Sequence, residues 1–220
     1  MIVQIYGFTT PDDVVAVREL AIDHIGVVLD EGFGTWDGVD EGTARSIVAE
    51  IPDSMVTVAL SLGIDFDRIA RTVDALQPHI VHLVRADQMT PEAVGEVRDR
   101  LTPTKVMTTV AVRDRSAIGV AQAYAECSHY LLLDSHDPAT GIVGATGLTH
   151  DWSLSALIPP AVDIPVILAG GLGPENVKQA IAAVNPAGVD SETRTSRLDD
   201  KRRKDLDAVR RFVETARSIA

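Results

Sequence analysis

With 220 residues, 45% of them hydrophobic, and a mean hydropathy of +0.11, the chain holds enough apolar material for one large core. It has no apolar run of the roughly 18 residues that a membrane-crossing helix needs. A net charge of −12 argues against non-specific binding to nucleic acid, and a single cysteine, Cys127, excludes an internal disulfide and a cysteine-rich zinc site. No positive residue precedes the apolar start Met1-Ile2-Val3, so no secretory signal is expected and the cytoplasm is the expected compartment. Aspartate outnumbers glutamate and arginine outnumbers lysine. Such a surface suits a high-salt cytoplasm, and a GC-rich genome produces the same bias.

Strand-like and helix-like segments alternate along the whole chain. Residues 2–6 read as a strand; Thr10, as an N-cap, and Pro11, at the first helical position, open a helix to about residue 21. A strand over 24–29, a loop and a helix over about 41–51 follow, then a strand over 55–61 and a helix over about 65–76. Residues 80–84 form the fourth strand, and Thr90-Pro91-Glu92 repeats the helix-start chemistry, to about residue 100. Strand 105–110 with helix 115–126 makes a fifth unit. Strand 130–134 leads into a long glycine-containing loop and a short helix near 152–157. Strand 164–169 with helix 175–183, then strand 188–190 with a helix over about 201–216, complete the series. The basic stretch 197–203, broken by Asp199 and Asp200, reads as the solvated start of that last helix. Eight βα units without a linker predict a single-domain (β/α)₈ barrel spanning 1–220, with a doubly wound open sheet as the competing architecture.

The seventh unit carries a chemical signal. The apolar run Ile164–Ala169 ends abruptly in Gly170-Gly171, and Pro174-Glu175 suits the start of a helix. Glycines between a strand and a helix N-terminus let backbone N–H groups approach an anion closely. A tight turn without a ligand needs the same residues. In a barrel, though, phosphate commonly binds after strands seven and eight, and reacting groups sit at the carboxyl ends of strands.

Several blocks resemble one family. They are Ile5-Tyr6-Gly7-Phe8-Thr9, Leu131-Leu132-Leu133-Asp134-Ser135, Gly144-Ala145-Thr146-Gly147 with Thr149 and Asp151-Trp152, Ile167–Leu172 with Pro174-Glu175-Asn176-Val177, and Gly188-Val189-Asp190. In order and spacing they are similar to phosphoribosylanthranilate isomerase over essentially the whole chain. The resemblance implies a barrel enzyme of tryptophan biosynthesis that rearranges an aminoaldose phosphate to an aminoketose without cofactor or metal. It implies a phosphorylated small-molecule substrate and a monomer or homodimer. Asp134 stands where the family has its general acid. Gly144, Thr146, Gly147, Gly170, Gly171 and Arg194 fall where the phosphate is held, and Asp190 is placed to accept a hydrogen bond from the substrate.

The departures are as informative. The family's general base is a cysteine at the end of strand one, and here Tyr6 stands in its place. A phenol of pKa near 10 is only about one part in 10³ ionised at pH 7. His82, at the end of strand four, and His136, after strand six, are further candidate bases, because imidazole titrates near neutrality. Cys127 precedes strand six, at the opposite face. Gln4 replaces a family lysine. The loop 31–37 lacks the arginine that meets the anthranilate carboxylate, although Phe33 and Trp36 there offer aromatic surface. The Gln-Leu-His-Gly of strand four becomes His82-Leu83-Val84-Arg85, and the Ser-Ser-Gly phosphate loop becomes Glu192-Thr193-Arg194. Glu192 would repel phosphate, whereas Arg194 can bind it. Asp134, Ser135, His136 and Asp137 crowd together without a spaced metal-ligand motif, and no metal is expected. Two functions stay open: an isomerase of this type or a paralogue that isomerises or epimerises another sugar phosphate, and a catalytically idle barrel that binds a phosphorylated metabolite.

Overall fold

The computed structural model describes residues 1–30, 32–135 and 149–219. Eight parallel strands hydrogen-bond in chain order, and β1 pairs with β8 to close a barrel. They are β1 (Ile2–Ile5), β2 (His24–Val28), β3 (Val56–Ser61), β4 (Ile80–Leu83), β5 (Lys105–Ala111), β6 (Tyr130–Asp134), β7 (Val166–Leu168) and β8 (Gly188–Ser191). The helices are α1 (Pro11–Val17), α2 (Glu41–Ala49), α3 (Phe66–Leu76), α4 (Pro91–Arg100), α5 (Ser116–Ala125), α6 (Trp152–Ser155), α7 (Val177–Val184) and α8 (Leu206–Arg217). The alternation read from the sequence is therefore a closed barrel, not an open sheet.

Successive strand residues point to opposite faces, and that period decides what each residue does. One set, including Val3, Ile5, Ile25, Val27, Leu131, Leu133, Val166 and Leu168, packs outward against helix residues such as Val14, Ile47, Ile69, Val177, Val209 and Phe212. The other set fills the lumen, where Tyr6, Val28, Val58, Ile80, Met107, Leu132, Ile167 and Ala169 form a separate apolar cluster. The same alternation carries polar residues inward too: Gln4 and Tyr6 from β1, His24 from β2, His82 from β4, Thr109 from β5, Asp134 from β6 and Asp190 from β8. Gly26 makes room for one of them. A Cβ there would lie 2.2 Å from Cδ1 of the Tyr6 ring, so only a bare strand position lets the phenol cross the lumen.

Element ends differ from expectation where local hydrogen bonding outweighs propensity. Thr10 sits at the N-cap of α1 in extended conformation with Pro11 behind it, yet its hydroxyl makes no capping bond, and α1 stops at Val17. Thr90 does cap α4, accepting from the Ala93 N–H. Helix α7 begins at Val177, because Asn176 turns its side chain back into the preceding loop. The largest shift is in α8, which starts at Leu206 behind an Asp205 cap. Residues 197–202 are exposed, as the charge pattern suggested, but the stretch is not the start of a helix. The Arg203 guanidinium clasps the buried Asp13 carboxylate at 2.9 Å, and Arg202 donates to the carbonyls of Trp36 (2.6 Å) and Gly38 (3.3 Å). The Lys204 ammonium is buried against Ser196 Oγ at 3.0 Å. Partners from β1α1 and β2α2 hold this segment as a strap across the carboxyl-end face.

Candidate active site at the carboxyl ends of the strands

A polar cavity opens at the carboxyl ends of β6, β7 and β8, and its walls include Asp134, Gly170, Gly171, Asp190, Glu192 and Arg194. Five of the residues singled out from sequence thus meet in one place.

The glycine turn supplies the floor. Gly170 and Gly171 both have positive φ, +83° and +59°, a region where a side chain is strained. A Cβ on Gly170 would also lie 2.9 Å from His150 Nδ1 and 3.1 Å from the Ser135 N–H. Asn176 staples the turn, accepting from the Gly173 N–H at 2.8 Å and donating to the Gly171 carbonyl at 3.0 Å. Ser191 Oγ donates to the Leu172 carbonyl at 2.7 Å and ties β8 to the same turn. Arg194, in a short 3₁₀ turn after β8, rests over the bare Gly173, where a Cβ would come within 2.8 Å of its own.

The walls carry three carboxyls. Burial pushes Asp134 up to about 7, although its Oδ1 accepts from the Ser135 N–H at 2.7 Å. Burial likewise pushes Asp190 up to about 8, with Asp134 adding to the rise and Gln4 Nε2, donating to Asp190 Oδ1 at 3.1 Å, opposing it. Gln4 is itself held by His24, whose Nδ1 donates to Gln4 Oε1 at 3.0 Å. Glu192 is pushed well above the usual carboxyl range, first by burial and then by Asp37. That favours its neutral form and weakens the repulsion of phosphate read from its position.

Tyr6 and His82, the other two expected catalytic residues, are brought together with each other. The Tyr6 hydroxyl and His82 Nδ1 are 2.8 Å apart, and His82 Nε2 lies 2.7 Å from Thr109 Oγ1. Whichever tautomer the imidazole holds, one nitrogen donates and the other accepts, so the chain is satisfied internally. Burial lowers His82 to about 3, and burial with the nearby Asp190, Glu192 and Asp37 raises Tyr6 well above its usual value. Cys127 is buried beyond α5, its Sγ donating to the Tyr124 carbonyl. Gly144, Thr146, Gly147 and His136 lie outside the described residues, as do Asp137 and Glu31. Among the described residues no group of three or more His, Cys, Asp or Glu side chains could hold a metal ion.

Sequence reasoning passed over Thr109 and His24, and named Ser135 and Asn176 without giving them a role in the cavity. For Thr109 and His24 the signal was available: each falls on the inward phase of its strand. At the rim, Phe33 is 42% exposed, and the guanidiniums of Arg68 and Arg85 lie 5.5 and 5.3 Å from its ring centre. Three N–H groups of that loop, from Gly32, Phe33 and Gly34, converge on the Asp30 carboxylate and hold it below its usual range.

Residues 3–215 match the family described as N-(5'-phosphoribosyl)anthranilate isomerase. The chain belongs to the phosphoribosylanthranilate isomerase family. It is 34% identical over 215 residues to the N-(5'-phosphoribosyl)anthranilate isomerase of Haloarcula marismortui, covering 98% of this chain and 95% of that one. Among solved structures it is similar to the phosphoribosyl anthranilate isomerase of Thermotoga maritima, at 26% identity with a TM-score of 0.83, covering 99% of this chain and all of the other. A second structure of the family, solved with reduced 1-(o-carboxyphenylamino)-1-deoxyribulose 5-phosphate, gives 25% identity and a TM-score of 0.81 over 99% of this chain. Family membership thus joins the closed barrel to an isomerase of tryptophan biosynthesis.

Proposed function

We propose that the cavity at β6–β8 is the active site and that it converts N-(5'-phosphoribosyl)anthranilate to the aminoketose phosphate. The observation that carries this reading is Asp134: an inward carboxyl at the end of β6, raised to about 7, on the wall of the cavity. A carboxyl with a pKa near neutrality still holds a proton to give, which is what opening the ribose ring requires. The phosphate is held by the turn at Gly170-Gly171 and by Arg194, and the family resemblance adds Gly144, Thr146 and Gly147. Asp190 lines the same cavity.

Arg85 supplies the cation that the 31–37 loop lacks. It reaches Phe33 from the end of β4, where an aromatic ring bearing a carboxylate would meet both a ring face and a guanidinium. Tyr6 and His82 are positioning residues: hydrogen-bonded to each other, they fix the lumen beneath the cavity. No helix among the described residues is long and apolar enough to cross a membrane.

The test is turnover of freshly generated phosphoribosylanthranilate, followed by the loss of its anthranilate fluorescence. Steady turnover is expected. Its absence, with inorganic phosphate still raising the melting temperature, would favour the phosphate-binding barrel without this activity.

A further inference from the structure

Accepting that reading of the cavity leaves one group unnamed, the base that removes the C2 proton, since the position that carries it in the family is Tyr6. We propose that Asp190, at the end of β8, is that base and works with Asp134 as an acid–base pair across the cavity.

Geometry makes the choice. Both carboxyls line the same cavity, and Tyr6 does not. The Tyr6 hydroxyl is spent on His82 at 2.8 Å, and a phenolate there would stand among Asp190, Glu192 and Asp37. Asp190 is instead held for use. The only hydrogen bond to its side chain among the described residues comes from Gln4, to Oδ1, leaving its second oxygen for the cavity. The chain His24–Gln4–Asp190 runs back through the lumen and fixes the carboxylate's direction, a positioning role for two residues far from the reacting atoms. The groups facing Asp190 are Gln4 and Tyr6 from β1, Asp134 from β6, Glu192 after β8 and Lys204 from the strap. Burial raises both carboxyls, Asp134 to about 7 and Asp190 to about 8, with Asp134 adding to the latter; between those values the pair shares one proton, and the reacting form is the one in which Asp134 carries it.

The steps balance on that single proton. Asp134 gives its proton to the ring oxygen as the C1–O bond breaks, and the anilino nitrogen's electron pair forms the C1=N iminium. The Asp190 carboxylate takes the C2 proton; the C–H pair becomes C1=C2 and the iminium pair returns to nitrogen. Asp190 then delivers its proton to C1 while the enol O–H proton returns to Asp134, leaving the C2 ketone and both carboxyls as they began.

The experiment compares Asp190→Ala with Tyr6→Phe in the full-length protein. Asp190→Ala is expected to lower kcat by about 10²–10⁴-fold, inorganic phosphate should still raise its melting temperature, and added formate should recover turnover by entering the vacated space. Tyr6→Phe should cost less than about tenfold in kcat, well below the loss of a general base. Should Asp190→Ala not fold, Asp190→Asn keeps the shape and must show the same loss in kcat. A loss confined to KM, an Asp190 variant that keeps its kcat, or a lost kcat that formate cannot restore while Tyr6→Phe is dead would overturn the assignment. Wild-type protein that turns over the substrate while an Asp190 variant matches it sinks this inference alone. Wild-type protein with no turnover removes the reading of the substrate, and the inference falls with it.

Discussion

Two buried polar groups of the lumen were built by the same strand alternation and do opposite things. The Tyr6–His82–Thr109 chain crosses from β1 to β5 with its hydrogen bonds made internally, and its burial drives both titratable members to the neutral form. The Asp134 and Asp190 carboxyls are as strongly desolvated, yet they face a cavity and their values come to rest near neutrality. Residue type alone would rank an imidazole above a carboxyl as a neutral-pH base. What decides is whether a group has an unused lone pair or proton facing space that a substrate can enter, and whether its shift leaves it able to exchange that proton.

The comparison breaks most sharply at Asp134. Asp134→Asn keeps the shape and removes the proton, so turnover should fall by about 10²–10⁴-fold, while the shift in melting temperature with inorganic phosphate stays within a few tenths of its wild-type size. Equal activity in that variant would move the acid elsewhere. Next in size is the floor. Gly170→Ala forces a side chain at φ +83° and against His150 and the Ser135 N–H; a penalty of about 1–3 kcal/mol in stability is expected, with a raised KM, measured by denaturant unfolding and by saturation kinetics. The closed chain answers differently. Tyr6→Phe leaves one buried nitrogen of His82 without its partner and should cost about 1–3 kcal/mol of stability, read from denaturant melts, with kcat much less affected. A Tyr6→Phe protein that is fully stable yet inactive would reverse the roles given to the two regions.

Much of this arrangement was legible in the chain. Unit count and the apolar phase of each strand are properties of local sequence, so the barrel and its inward residues follow from period two. The glycine turn was legible for the same reason, since Gly170 and Gly171 sit at a strand end, where φ must turn positive. Partner choice was not. Whether Tyr6 reaches a substrate or His82 depends on Gly26 being bare and on β4 standing across the lumen, contacts between residues 76 positions apart. The strap was misread as a helix start because its ties to the barrel do not show in a one-dimensional charge pattern. Asp13 and Trp36, the partners of Arg203 and Arg202, are neighbours only once the barrel closes. The 31–37 loop truly lacks an arginine, but Arg68 and Arg85 come to its Phe33 from α3 and from the end of β4.

The smallest effect separates the two regions by the sign of their pH dependence. Asp134 and Asp190 bind protons more tightly folded than unfolded, so the stability they contribute is complete below the unfolded carboxyl value and is lost as pH rises through about 7 and about 8. His82 and His24 are lowered to about 3 and about 4, so the unfolded chain binds their protons first, and their contribution is lost as pH falls below the unfolded imidazole value toward those figures. The two windows overlap between the unfolded carboxyl and imidazole values, where the opposing slopes largely offset, so the melting temperature should hold a plateau over about pH 4–6.5 and fall above it, where only the carboxyls still lose stability. Asp190→Asn should flatten the alkaline fall and tilt the plateau upward with pH, because the imidazole contributions are then less offset. His82→Gln should do the reverse, tilting the plateau downward with pH whatever its cost in absolute stability. Thermal melts across pH 4–9 read both slopes, and an alkaline limb unchanged in Asp190→Asn would mean that this carboxyl is already ionised in the folded protein, a base without need of its partner's proton.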